Sequence, residues 1–206
     1  MRRILPFLLA LLAVFLPGAS SAGPLEDAAV AYSRKDFATA LRIWRPLAEL
    51  GNAAAQFNVG LMYDNGQGVP QDYAAAVKWY RLAAAQGDAQ AQYNLGYMYD
   101  NGQGTARDFA EAAKWYRLAA AQGDPRAQDS LGQMYANGQG VPKDFVRAYM
   151  WFSVAAMSGK SSSAAMNREV IARQLTPQRA REAQDLAQAC RARLFKGCDT
   201  LNTRSN

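Results

Sequence analysis

Cysteines at 190 and 198, aspartates at regular spacing and three Gly-x-Gly stretches are the side chains from which chemistry could be built. Histidine is absent from all 206 residues. The Ser-His-Asp and Cys-His mechanisms therefore lack their base, and most zinc sites lack a nitrogen ligand. Ser-x-x-Lys, the spacing of an acylated serine and its lysine, does not occur. Asp64-Asn65-Gly66 and Asp100-Asn101-Gly102 start like calcium loops but lack the alternating ligands and terminal glutamate. The Gly-x-Gly stretches at 66–68, 102–104 and 138–140 have no third glycine and read as turns, not as a nucleotide fingerprint. What remains is carboxylate chemistry: two aspartates facing across a groove would suffice for a glycosidase-like pair. Nothing in the spacing specifies such a pair, and neither a metal nor a cofactor is expected.

Residues 1–22 carry the pattern of a secretory signal: Arg2-Arg3, an apolar run from Ile4 to Leu16, then small residues ending at Ala22. The run is shorter than the ~20 residues of a membrane span. Cleavage is expected, with an uncleaved anchor as the alternative. The mature chain is then periplasmic or secreted, with no integral membrane span. In such a compartment Cys190 and Cys198 are expected to pair. On one straight helix they would be ~12 Å apart, too far to bond. Gly197 lets the chain fold back, so a structural disulfide is the preferred reading. The formal charge of +6 is unevenly placed: residues 23–159 hold 12 basic and 13 acidic groups, residues 160–206 hold 9 and 4. A nucleic-acid array carries its positive charge along the repeated surface, so no nucleic-acid partner is expected. The basic C-terminal segment retains a weak attraction to anionic envelope components.

The elements that position these residues repeat every 36 residues. Units start at Asp36, Asp72, Asp108 and Asp144, and the first runs DFATALRIWRPLAELG, then NAAAQFNVGLMYDNGQGVPQ. A period of this size means stacked supersecondary units. Each aspartate fits a helix N-cap, and Gly51, Gly87, Gly123 and Gly159 fit the C-caps. Asn52, Asp88 and Asp124 start a second helix, with Pro125 at a first helical position. Gly60, Gly96 and Gly132 interrupt these second helices, and close approach of a neighbouring helix is the expected reason. Tyr63, Tyr99 and Tyr135 read as core. Trp44, Trp79, Trp115 and Trp151 are expected at one matching place in the units, packing between them; a sugar-binding ladder is the alternative. One unit cannot bury its own faces, so the units stack. The architecture predicted is all-α. Residues 23–35 form a leading helix (Leu25 to Ser33), 36–159 the solenoid and 160–198 capping helices, the last starting at Thr176-Pro177. Residues 199–206 are expected to fray.

Residues Ala91–Gly123, AQYNLGYMYDNGQGTARDFAEAAKWYRLAAAQG, resemble the Sel1-like repeat family, relatives of the tetratricopeptide repeats. Thr105-Ala106 departs from the usual Val-Pro of the loop. In family phase the repeats are 53–88, 89–124 and 125–160. The resemblance implies a right-handed α-solenoid of antiparallel helix pairs acting as an adaptor in signalling, envelope assembly or host interaction. By the tetratricopeptide analogy the glycine-containing helices line a concave groove. Phe57, Leu61, Asp64, Tyr93, Tyr97, Asp100, Asp129, Gln133 and Ala136 then face it, with Asn58 and Asn94 alongside. Asp129 stands where Phe57 and Tyr93 stand in the other units. Packing against the next unit is an equal reading for those two rings. The function expected is a non-enzymatic scaffold of the bacterial cell envelope that binds a protein or peptide partner in this groove. A cell-wall-modifying or β-lactam-related hydrolase is one alternative. The cysteine-rich relatives linked to β-lactams brace each repeat with a disulfide, and these repeats contain no cysteine. A secreted effector that binds a host protein is the other.

Overall fold

Each 36-residue period becomes two helices because every helix start has a cap and every stop a glycine. In the computed structural model, residues 23–159 and 161–201 are described; the expected signal segment, 1–22, lies outside the described residues. Ten α-helices follow in order: α1 Pro24–Ser33, α2 Phe37–Glu49, α3 Ala53–Asn65, α4 Tyr73–Ala85, α5 Ala89–Asn101, α6 Phe109–Ala121, α7 Pro125–Asn137, α8 Phe145–Ala156, α9 Ser162–Ala172 and α10 Pro177–Ala192. No strand occurs among the described residues. Asp72 Oδ1 accepts from the Ala75 amide at 2.9 Å, and Asp88 Oδ1 from the Ala91 amide at 2.8 Å. Such caps contribute ~1 kcal/mol each. Gly87 and Gly123 turn the chain at φ 94° and 87°, where a side chain would be strained. The loops end on a repeated backbone bond: the amides of Asp72, Asp108 and Asp144 donate to the carbonyls of Tyr63, Tyr99 and Tyr135, each at 2.9 Å.

Successive helices from α1 to α9 pack on one another, and the apolar core runs between the units as clusters rather than around one centre. The mid-helix glycines mark the closest approaches. A Cβ on Gly60, Gly96 or Gly132 would come within 2.8, 2.7 or 2.6 Å of the ring of Tyr80, Tyr116 or Phe152. Alanines fill the rest of the contact, including Ala76, Ala83, Ala112 and Ala119, all fully buried. A glutamine ladder, not anticipated from the sequence, ties the units together. Gln56, Gln92 and Gln128 are buried and donate to the carbonyls of Ala48, Ala84 and Ala120 at 3.0–3.2 Å. Gln86 and Gln122 donate in turn to Gln56 and Gln92 at 2.7 and 2.8 Å.

Two expectations are corrected. Trp44 does not match the other tryptophans: it precedes Tyr80 by 36 residues, and Ile43 precedes Trp79. It is buried among Ala28, Ala40 and Val59, whereas Trp79 and Trp115 are half-buried. The second concerns the expected fraying of 199–206. Cys190 and Cys198 are joined, with Cα atoms 5.0 Å apart, and Cys198–Thr200 forms a 3-10 turn. Asp199 then binds Arg117 and Trp151, and Leu201 is buried. Residues 199–201 are therefore docked; 202–206 lie outside the described residues. α9 and α10 both pack on α8, which explains why α8 has nine buried residues out of twelve. A helix covered on all sides has no polar face to spare.

Candidate functional site

Two successive glycine-containing helices, α5 and α7, open a cleft of about 500 Å³. α5 supplies Tyr93, Tyr97, Asp100 and Asn101; α7 supplies Arg126, Asp129, Ser130 and Gln133. Ser161, Ser162 and Ser163, at the start of α9, close one side. Side chains three and four residues apart share one helical face, which puts Tyr93, Tyr97, Asp100 and Asn101 on one wall. The serines arrive because the fourth unit abandons the repeat after Gly159 and starts a new helix there.

The wall is firm at Tyr93 and open at Tyr97. The Tyr93 ring lies 5.7 Å from that of Tyr116, and the Arg126 guanidinium sits 4.2 Å from its centroid. Arg126 is held in place by Asp124, with Nη2 to Oδ2 at 2.6 Å. Burial pushes the Tyr93 hydroxyl pKa up. Tyr97 is 44% exposed, a large ring facing solvent.

Two carboxylates line the cleft in different states. Asp100 is half-buried, and burial raises its pKa; the Tyr116 hydroxyl donates to it at 3.4 Å. Tyr116 is itself pushed far up by burial and by Asp100, so it stays a donor. The same pair recurs one unit earlier, where Tyr80 donates to Asp64 at 3.1 Å and burial again raises the carboxyl pKa. One unit later both partners are lost together, as Ala136 and Phe152. Asp129 is buried and its oxygens are taken: Oδ2 accepts from Ser163 at 2.9 Å and Gln133 at 3.3 Å, Oδ1 from Asn167 at 3.4 Å. It clamps α9 to α7. A phenylalanine at this position could accept none of these donors and a tyrosine hydroxyl could not span all three, which accounts for the departure from Phe57 and Tyr93. Such a saturated carboxylate is poorly placed as a general base.

The Sel1 repeat model matches residues 53–88, 89–124 and 125–160. The chain belongs to the Sel1 repeat family. Sel1 repeat proteins generally serve as protein-interaction scaffolds. The chain is similar to a crystallised protective antigen of uropathogenic Escherichia coli strains with an SLR fold, at 46% identity and a TM-score of 0.65, over 66% of this chain and 30% of that one. It is also similar to a Sel1 repeat protein from Oxalobacter formigenes, at 35% identity and a TM-score of 0.63, over 66% of this chain and 56% of that one. It thus spans about a third and about half of these two Sel1 relatives. No curated protein matches the chain closely enough to count as a relative.

Of the residues the Sel1 resemblance pointed to, Tyr93, Tyr97, Asp100, Asp129 and Gln133 come together in the cleft. Phe57, Asn58, Leu61 and Asp64 lie one unit earlier on α3, outside it. Phe57 packs 5.9 Å from the Tyr80 ring, so it is partly a packing residue. Asn94 is half-buried and does not line the cleft. Arg126 and the three serines were not anticipated. The serine run at 161–163, set where the Sel1 motif stops, was the available signal.

Proposed function

We propose that this protein is a non-enzymatic scaffold of the bacterial cell envelope that holds a protein or peptide partner in the cleft between α5 and α7. The observation that carries the reading is the make-up of that cleft. One exposed aromatic, Tyr97, stands among fixed polar groups on a surface built by two rigid repeats. Rigid aromatics anchor interfaces at low entropic cost. Asn101 and Gln133 offer amides to a partner backbone, and Asp100 offers an acceptor. A hydrolase would need a free carboxylate opposite Asp100, and Asp129 already accepts from three side chains.

The compartment we propose is the periplasm or the exterior. The Cys190–Cys198 bond supports it, since such bonds persist where the medium is oxidising. The Escherichia coli neighbour is a protective antigen, which fits an exposed location for this chain too. An effector role shares the same cleft and differs in destination. The basic C-terminal segment adds weak attraction to anionic envelope polymers.

Affinity capture with in-cell cross-linking tests the reading, using the tagged protein beside a Tyr97→Ala/Asp100→Ala variant. The expected result is a discrete partner that is lost from the still-folded variant. A partner held equally by both would move the contact away from the cleft and refute this assignment.

A further inference from the structure

A second constellation recurs outside the cleft. Arg45, Tyr63 and Trp79 are repeated 36 residues later as Arg81, Tyr99 and Trp115, and again as Arg117, Tyr135 and Trp151. In each unit the arginine reaches the tyrosine hydroxyl, at 2.9, 2.8 and 3.4 Å in turn. None of these side chains lines the cleft.

In the last unit the constellation holds a carboxylate. Arg117 Nε donates to Asp199 Oδ2, and Trp151 Nε1 donates to Oδ1 at 2.9 Å. Arg147 Nη2 adds a bond to the Asp199 carbonyl at 3.4 Å. A guanidinium and an indole N–H, each on its own oxygen, make a receptor for one carboxylate. In the middle unit the same groups lack that ligand. Arg81 is exposed and has no carboxylate partner among the described residues. Trp115 Nε1 is shielded from water and makes no hydrogen bond, although a buried donor is normally satisfied. In the first unit Arg45 already pairs with Glu49 at 3.7 Å. Glu111 stands where Arg147 stands one unit later, and Lys114 neutralises it at 3.2 Å.

The geometry points to Arg81, Tyr99 and Trp115 as a docking point for an aspartate or glutamate side chain of a partner polypeptide, the place that Asp199 fills within the chain one unit later. The incoming carboxylate meets exposed Arg81 first. It reaches the covered indole N–H after a neighbouring side chain shifts. Arginine supplies the charge attraction, and the indole supplies a direction that a point charge lacks. The surface therefore selects acidic segments, and it is separate from the cleft.

The chain's four tryptophans give four indole N–H resonances by nuclear magnetic resonance. The probe is the blocked peptide acetyl-Gly-Ser-Asp-Thr-Leu-amide, which copies the docked tail with serine in place of cysteine, and its Asp-to-Asn form is the control. The expected result is a saturating downfield shift of the Trp115 indole with the Asp peptide. The Asn peptide should not produce it, and Arg81→Gln should abolish it. Trp151 should stay silent in the wild type and respond in Asp199→Gly, which removes the docked side chain. A response of Trp151 in Asp199→Gly with none from Trp115 would overturn the proposal. So would equal response to both peptides, or silence of both indoles at millimolar peptide.

Discussion

Replacing Gly96 by alanine sets two effects of opposite sign against each other. Alanine in a helix interior is favoured over glycine by about 1 kcal/mol. The added methyl would lie 2.7 Å from Cδ1 and 2.8 Å from Cε1 of Tyr116, well inside the ~3.5–4.0 Å of ordinary carbon contact. Tyr116 has little room to retreat. It is 1% exposed, its ring lies against Tyr93, and its hydroxyl binds Asp100. Overpacking of this kind costs about 1–3 kcal/mol, and losing the tyrosine–aspartate bond adds about 1 kcal/mol. The net effect is a loss of about 1–3 kcal/mol, or roughly 2–12 °C in melting temperature for a domain of this length. Urea and thermal melts followed by circular dichroism read it directly. In a Tyr116→Leu background the alanine should turn neutral or stabilising, because the ring edge is gone. A Gly96→Ala protein more stable than wild type by the helix-propensity gain alone would refute the claim that this glycine exists for close packing.

Other consequences follow from the same contacts. Asp129→Ala leaves Ser163, Asn167 and Gln133 without their acceptor; hydrogen exchange should show faster opening of α9, with α3 to α6 unchanged, and a loss of about 1–3 kcal/mol. Reducing the Cys190–Cys198 bond, which closes a separation of eight residues, should cost about 2–3 kcal/mol. It should also release the Asp199 contacts, seen as a changed Trp151 fluorescence. Burial raises the Asp100 carboxyl pKa, so the folded state holds that proton more tightly than the unfolded chain. Its stabilising contribution is present at low pH and is lost as pH rises from the ordinary carboxylate value of about 3.9 through the raised one. Asp100→Asn, which keeps an acceptor for Tyr116, should therefore raise the melting midpoint at pH 7 and leave it unchanged at pH 3.

The helix plan was legible because its signals are local. A cap at Asp72, a stop at Gly87 and a cap at Asp88 need no knowledge of the rest of the chain, and the 36-residue period repeats them. The mid-helix glycines were legible for the opposite reason: a residue unfavourable in a helix needs a tertiary explanation, and Tyr80, Tyr116 and Phe152 supply it. The glutamine ladder was hidden because Gln56 and Gln86 look like solvated helix residues until the units stack. Trp44 shares its residue type with Trp79 but its register with Tyr80, 36 residues on, and register sets where a side chain packs. The docked tail was missed because Asp199 has no repeat counterpart and its partners lie 48 and 82 residues away. For the cleft, the α5 and α7 residues followed from the helical face they share. The α3 residues did not join them, since the divergent segment at 161–163 closes only the cleft between α5 and α7.

Site-specific photo-cross-linking tests the scaffold reading most directly. A benzophenone side chain would replace Tyr97 in the cleft and, in a parallel protein, the exposed Lys78 on α4. Each protein would be irradiated in intact cells. A discrete adduct at 97, absent at 78 and diminished by Asp100→Ala, is the predicted result. Equal adducts at both positions, or an adduct at 78 alone, would contradict a partner seated in the cleft.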